Sequence, residues 1–169
     1  MANSFQAQVD KIVVNTNAKM TALMRESVQE VIDIAQTPGP SKKSIEHAIK
    51  QGLGSIGKGK QRRSISGPVM PQSKGGKMRV DTGFLRASGQ SSLNGMPTGP
   101  IRGNKNSTYN FDVSLTEKTI SEFEIGSTFF FGWTASYAKY REAFDGFLAS
   151  ALQQWPRIVA RNTERIRNR

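Results

Sequence analysis

Residues 4–40 read SFQAQVDKIVVNTNAKMTALMRESVQEVIDIAQTPGP, and the pattern is that of a long helix with an abrupt end. Apolar side chains fall at Phe5, Val9, Ile12, Val13, Met20, Leu23, Met24, Val28, Val31, Ile32 and Ala35. Spacings of three and four place them on one stripe. Ser4 stands where an N-cap is expected. Thr37-Pro38-Gly39-Pro40 is a stop, because proline lacks an amide donor and restricts the residue before it. About 33 residues at about 1.5 Å each give roughly 50 Å, longer than a compact domain of this size needs. The helix is therefore expected to run past its own core and pack on a neighbour. The alternative is a helix broken near Asn15-Thr16-Asn17, three polar, weak helix formers in a row. Met20 and Met24 read as core or interface filler.

Residues 38–79 read as an excursion. Ser44–Lys50 has the spacing for two helical turns, and seven glycines with Pro68 and Pro71 follow. Few large apolar groups are present to offset the entropy of ordering, so a flexible or partner-ordered loop is expected. The folded body resumes at Val80. Thr108–Thr116 alternates, with Tyr109, Phe111, Val113 and Leu115 on one side, which predicts a half-buried strand. Glu117-Lys118 then reads as a turn and Thr119–Ser127 as the returning strand, with Phe123 and Ile125 inward and Ile120 out of phase. Ala87–Leu93 is a third strand candidate, and Asn94–Ser107 a loop. From Phe144 to Ile166 apolar residues recur at helical spacing, with a kink expected at Pro156.

The expected fold class is α+β. A small antiparallel β-sheet packs with a long N-terminal helix and a C-terminal helix, and a long basic Gly-rich loop is attached. The 169 residues make a single domain. Its parts are the helix 1–37, the excursion 38–79, a sheet and helix core at 80–156, and a basic helical tail at 157–169.

Charge is partitioned along these parts. Lys and Arg number 24 against 13 Asp and Glu, a net +11. Residues 41–80 carry a net +9 and residues 157–169 a net +4, while 1–40 and 81–156 are each −1. The excess sits in one loop and one tail of an otherwise neutral body. It fits a solvated loop or a contact to a polyanion, and charge alone leaves both open. With no cysteine there is no disulfide framework, thiol nucleophile or thiolate metal site. The one histidine, His47, leaves no multi-histidine metal cluster and would be obligatory in any serine–histidine set. No apolar run reaches a membrane span, and Met1–Ser4 lacks the layout of a signal peptide. A soluble protein of a reducing cytoplasm is expected, with no cofactor, no metal and no catalytic site.

Three motif candidates have plainer explanations. Gly52-Leu53-Gly54-Ser55-Ile56-Gly57 followed by Lys58 resembles a nucleotide-binding turn. However, helical rather than strand-like residues precede it, and Gly59 stands where a phosphate loop needs Ser or Thr. His47 is flanked by no second ligand type. The aromatics Phe129, Phe130, Phe131, Trp133, Tyr137 and Tyr140 have the chemistry to stack bases, but a core role is the better reading.

Two stretches resemble a known family. One is Val80-Asp81-Thr82-Gly83-Phe84-Leu85-Arg86-Ala87-Ser88. The other is Gly132-Trp133-Thr134-Ala135-Ser136-Tyr137-Ala138-Lys139-Tyr140-Arg141-Glu142, followed by Phe147-Leu148 and Ala151-Leu152. Their order resembles the neck, tail-completion or minor tail component proteins of long-tailed bacteriophages, typified by the tenth gene product of a lambdoid phage. The resemblance covers roughly 1–37 and 80–160. Arg79 stands where that family often has proline, and Ala143 where it often has glycine.

On the matched residues, Asp81 or Thr82 can cap a helical turn and Gly83 permits an unusual backbone angle. Leu85 can enter the core, while Arg86 points outward or pairs with a carboxylate such as Glu142. Tyr137, Ala138 and Tyr140 belong to one turn beside the sheet. The resemblance implies a non-enzymatic virion building block at the head–tail junction. Its subunits would form a ring of sixfold or twelvefold order around the DNA channel. Implied partners are connector or stopper, tail terminator and tail tube proteins, with genomic double-stranded DNA in the lumen and no membrane. The implied location is the virion neck or upper tail, and the host cytoplasm during assembly. Candidate contacts to DNA or partners are Lys58, Lys60, Arg62, Arg63, Lys74, Lys77, Arg79, Arg161 and Arg165. The alternative is a free protein that grips nucleic acid without reading sequence, through the same loop and tail.

Overall fold

The computed structural model describes residues 2–39, 75–80, 82–99, 101–104 and 107–168. The Ser44–Lys50 helix, His47, the Gly52–Gly57 motif and the body of the basic excursion lie outside the described residues. The first element, α1, spans Ala2–Gln36 without interruption. It passes through Asn15-Thr16-Asn17 unbroken and starts two residues before Ser4, so Ser4 lies inside its first turn and is not the cap. The helix stops where the prolines require it. Thr37 turns away, and its hydroxyl donates to the Asp33 carbonyl at 2.6 Å. Pro38–Gly39 forms β1, paired in parallel with β2, Met78–Arg79. Both ends of the excursion are thus tied together at the foot of α1. The approach is close, since a Cβ on Gly76 would sit 1.9 Å from the Thr37 carbonyl oxygen.

The short helix α2 (Phe84–Ala87) leads into β3 (Gly89–Ser92). The partner of β3 is β4, Phe130–Trp133, in antiparallel register with Gly89 opposite Trp133 and Ser92 opposite Phe130. The small antiparallel sheet is therefore real, but its second strand is the aromatic run. Neither strand expected between 108 and 127 exists. Residues 107–112 carry no regular element, and Val113–Glu122 is a helix, α3. Asp112 caps it, its carboxylate accepting from the Ser114 amide at 3.0 Å. Glu117-Lys118 is mid-helix. Thr116, Ile120 and Phe123, spaced four and three apart, are the buried face. The alternating Val113 and Leu115 stay exposed. Helical burial at 116, 120 and 123 with a cap at 112 outweighed a two-residue rhythm that nothing paired with.

The C-terminal region is three helices where one kinked helix was expected. They are α4 (Ala138–Asp145), α5 (Phe147–Leu152) and α6 (Trp155–Arg167). Gly146 breaks the first pair at φ +59°. Pro156 lies in the first turn of α6, where its missing amide costs no hydrogen bond.

Two apolar clusters hold the body. Met78, Phe84, Leu85, Ala135 and Phe147 form one. Val31 and Ala35 of α1 with Ala151 of α5 and Ile158 of α6 form the other. Trp133 packs against both and stands edge-on to Phe131 and Phe147. Only the C-terminal half of α1 takes part. Ser27, Val31, Ile32, Ala35 and Gln36 are buried, whereas Phe5 (72% exposed), Ile12, Val13, Val14 and Met20 face outward. Residues 5–16 of α1, about 12 residues and roughly 18 Å, thus stand clear of the body.

Candidate functional site

The two stretches that carry the resemblance fold into one unit. In the first, the Thr82 hydroxyl accepts from the Phe84 amide at 3.3 Å, and Gly83 takes φ +82°. A Cβ on Gly83 would meet the Tyr109 carbonyl oxygen at 2.2 Å, so glycine is required twice over. Phe84 and Leu85 then point into the core, with Tyr109 edge-on to Phe84 at 5.0 Å. Ser88 ties this turn to the second stretch. Its carbonyl accepts from the Thr134 amide at 3.0 Å, and its hydroxyl accepts from the Ala135 amide at 3.2 Å. Ala138 starts α4 and packs on the same cluster. Tyr137 leans on Phe84 with ring centroids 6.3 Å apart. Tyr140 faces out under the Lys139 ammonium.

Arg86 and Glu142 do not meet. The Arg86 Nε donates to the Gln36 carbonyl at 2.9 Å, and the Gln36 side-chain amide donates back to the Arg86 carbonyl at 3.3 Å. Arg86 thus closes the C-terminus of α1, where carbonyls lack partners and the dipole favours a cation. Glu142 accepts from the Leu148 and Ala149 amides at 2.9 Å each and caps α5.

Between the two stretches lies a cavity of about 160 Å³, lined by Arg79, Thr82, Gly83, Arg86, Tyr137 and Arg141 among others. One carboxylate organises its rim. Asp145, with a side chain only 2% exposed, pairs with the Arg79 Nε at 3.2 Å and with the Arg141 guanidinium. Sequence reasoning missed this clamp. The i,i+4 spacing of Arg141 and Asp145 was the only signal for it, and Arg79 joins from 66 positions away. A second depression, open and about 600 Å³, runs along α1 at Asn17, Thr21 and Arg25 toward Glu124 and Ile125. The Arg25 Nε donates to the Phe123 carbonyl at 2.7 Å at its floor.

The expected contact residues that are described do not come together. Lys58, Lys60, Arg62, Arg63 and Lys74, and also Asp81, lie outside the described residues. Lys77 is exposed beside β2. Arg79 is held by Asp145. Arg161 pairs with Glu30 and Arg165 with Glu26, across the α1–α6 contact. Among the described residues no group of acidic, histidine or cysteine side chains is arranged to hold a metal, and no helix is long and apolar enough to cross a membrane. Asp33 has its pKa raised above the usual 3.8, first by partial desolvation and also by Glu117, with the Gln29 hydrogen bond acting the other way. No protein-family model, curated protein or solved structure matches the chain.

Proposed function

We propose that this chain is a structural protein of a tailed-phage virion. It would act as a neck, tail-completion or minor tail component joining the head–tail connector to the tail. In this reading the subunits close into a ring around the DNA channel, the mechanism is assembly without catalysis, and the location is the virion. The observation that carries the reading is the arm of α1. A single chain leaves Phe5, Ile12, Val13, Val14 and Met20 in water, on a helix that projects beyond its own core. Exposed apolar surface of this kind marks an interaction face. Docking it on a different face of the next copy is the heterologous contact that closes a ring. The exposed Tyr140, Phe144 (83%) and Leu152 supply apolar side chains for such a face. The meeting of the two family-like stretches in one unit also supports the reading.

Native mass measurement tests it. The purified chain, or the chain with its connector partner, is expected to give a closed oligomer. Ile12→Asp with Val13→Asp should return it to monomer without lowering the melting temperature of the body. A monomer at every concentration, alone and with phage partners, would reject the ring.

The nucleic-acid reading is supported by the net +9 of residues 41–80. It is weakened in the tail, because Arg161 and Arg165 are engaged by Glu30 and Glu26. Duplex binding that falls steeply with salt in a chain that stays monomeric would favour it.

A further inference from the structure

We propose that the cavity between the Thr82–Arg86 turn and the start of α4 is a binding site for one oxyanion, of the kind shared by a free phosphate ion and a side-chain carboxylate. Charge is the first argument. Arg79, Arg86 and Arg141 line the cavity, and Asp145 is the one described carboxylate bound to any of them. The second argument is unused donors. Each guanidinium carries five N–H groups in a fixed fork. Arg79 gives Nε to Asp145, Arg141 gives one terminal nitrogen to Asp145, and Arg86 gives Nε to the Gln36 carbonyl. The remaining forks make no hydrogen bond to a described residue.

Preorganisation is the third argument. Asp145 is buried and holds two of the forks, while Arg86 is held at the end of α1, so little rotamer entropy remains to be lost on binding. Size decides the ligand class. About 160 Å³ admits one tetrahedral or carboxylate group and excludes a base and sugar. Recess decides against duplex DNA. Arg79 reaches the surface, but the Arg141 side chain is only 29% exposed and the Asp145 carboxylate that orients both forks 2%, set back from a convex rod of phosphates. The site does not depend on the ring reading, because a monomer contains all of it.

The test is a titration of the full chain with sodium phosphate, and separately with sodium acetate, at constant ionic strength set with chloride. Nitrogen–proton spectra would follow the Gly83 amide and the arginine Nε–Hε groups. Saturable shifts confined to Gly83, Arg79, Arg86 and Arg141 are expected, with affinity at least fivefold weaker in Arg79→Gln. The paired variant Arg141→Gln with Asp145→Asn removes a second fork without leaving a buried carboxylate alone, and should also weaken binding. Saturation by both anions supports the shared chemistry and a carboxylate from a protein neighbour as one source. Saturation by phosphate alone supports a free phosphate. Shifts that grow linearly, or that appear equally on Arg157 and Arg167 of α6, overturn the site. So does unchanged affinity in both variants. A duplex oligonucleotide that shifts the same resonances while phosphate and acetate do not would also overturn it, and would assign the cavity to nucleic acid.

Discussion

Gly83 is where a single side chain has the most to disrupt. Its φ of +82° and the Tyr109 carbonyl oxygen 2.2 Å from the missing Cβ leave no room for alanine. Gly83→Ala is expected to cost about 1–3 kcal/mol from the backbone conformation, with a further loss as the 109 segment gives way. Chemical denaturation would measure it, and wild-type stability would refute the argument. Ser27 and Asn162 form a buried polar pair between α1 and α6, with the Asn162 amide donating to the Ser27 hydroxyl at 3.2 Å. Ser27→Ala alone strands the amide and should cost about 1–3 kcal/mol. Ser27→Ala with Asn162→Leu should recover most of that loss, and an additive double variant would show that the pair is not coupled. Asp33 gives a pH dependence. Its raised pKa means that the folded state binds the proton more tightly than the unfolded chain does, so ionised Asp33 costs stability at neutral pH and the cost fades as acid protonates it. Asp33→Asn should therefore raise the melting temperature at neutral pH by a margin that shrinks on acidification. A margin independent of pH would remove the carboxylate as its cause.

Helices and strands differed in how plainly the sequence announced them. The long amphipathic stripe and the Pro38-Gly39-Pro40 stop were legible because period and terminator agree over many residues. β3 was legible, but its partner was not. Phe129–Trp133 lacks alternation, because Phe130, Phe131 and Trp133 are all half-buried, and an aromatic run reads equally as core. Thr108–Ser127 misled because nine alternating residues looked like a strand. The deciding signals were Asp112 as a cap and burial at Thr116, Ile120 and Phe123, and burial cannot be seen without the surface that α3 meets. The cavity was hidden for a related reason. Its members come from β2, the α2 turn and α4, and no local pattern joins Arg79 to Asp145. The motif residues themselves were legible as positions, and Gly83 and Leu85 do what their chemistry suggested. Arg86 was misread because a helix end needing a cation is as good a partner as a carboxylate.

At the scale of the whole molecule, the described part of the basic tail is paired into the fold through Arg161 and Arg165. The α1–α6 contact is a narrow seam with Ser27, Val31, Ala35, Ile158, Asn162 and Ile166 buried and the Glu30–Arg161 and Glu26–Arg165 pairs beside it. The arginines of these pairs are more than half exposed, so each pair should contribute less than about 1 kcal/mol and lose that in high salt. The apolar seam, not the charge, keeps α6 on α1. The net +11 therefore should not govern stability. Raising salt is expected to leave the melting temperature nearly constant while it weakens any contact the excursion makes to a polyanion. A steep fall in melting temperature with salt would show that the pairs carry the seam.

The parallel pairing of Pro38–Gly39 with Met78–Arg79 makes the excursion a module on a clasp. Its exit and return lie on neighbouring strands, about 4.8 Å apart. A change in the length of the connection between them costs the body little closure entropy, since doubling a loop adds only about 0.6 kcal/mol. Replacing residues 43–72 with a short Gly-Ser linker should leave the melting temperature within a few degrees of wild type, and a collapse of the body would show that the clasp depends on its cargo. Pinning both ends at one point makes the length of chain between them a nearly free variable for the stability of the body.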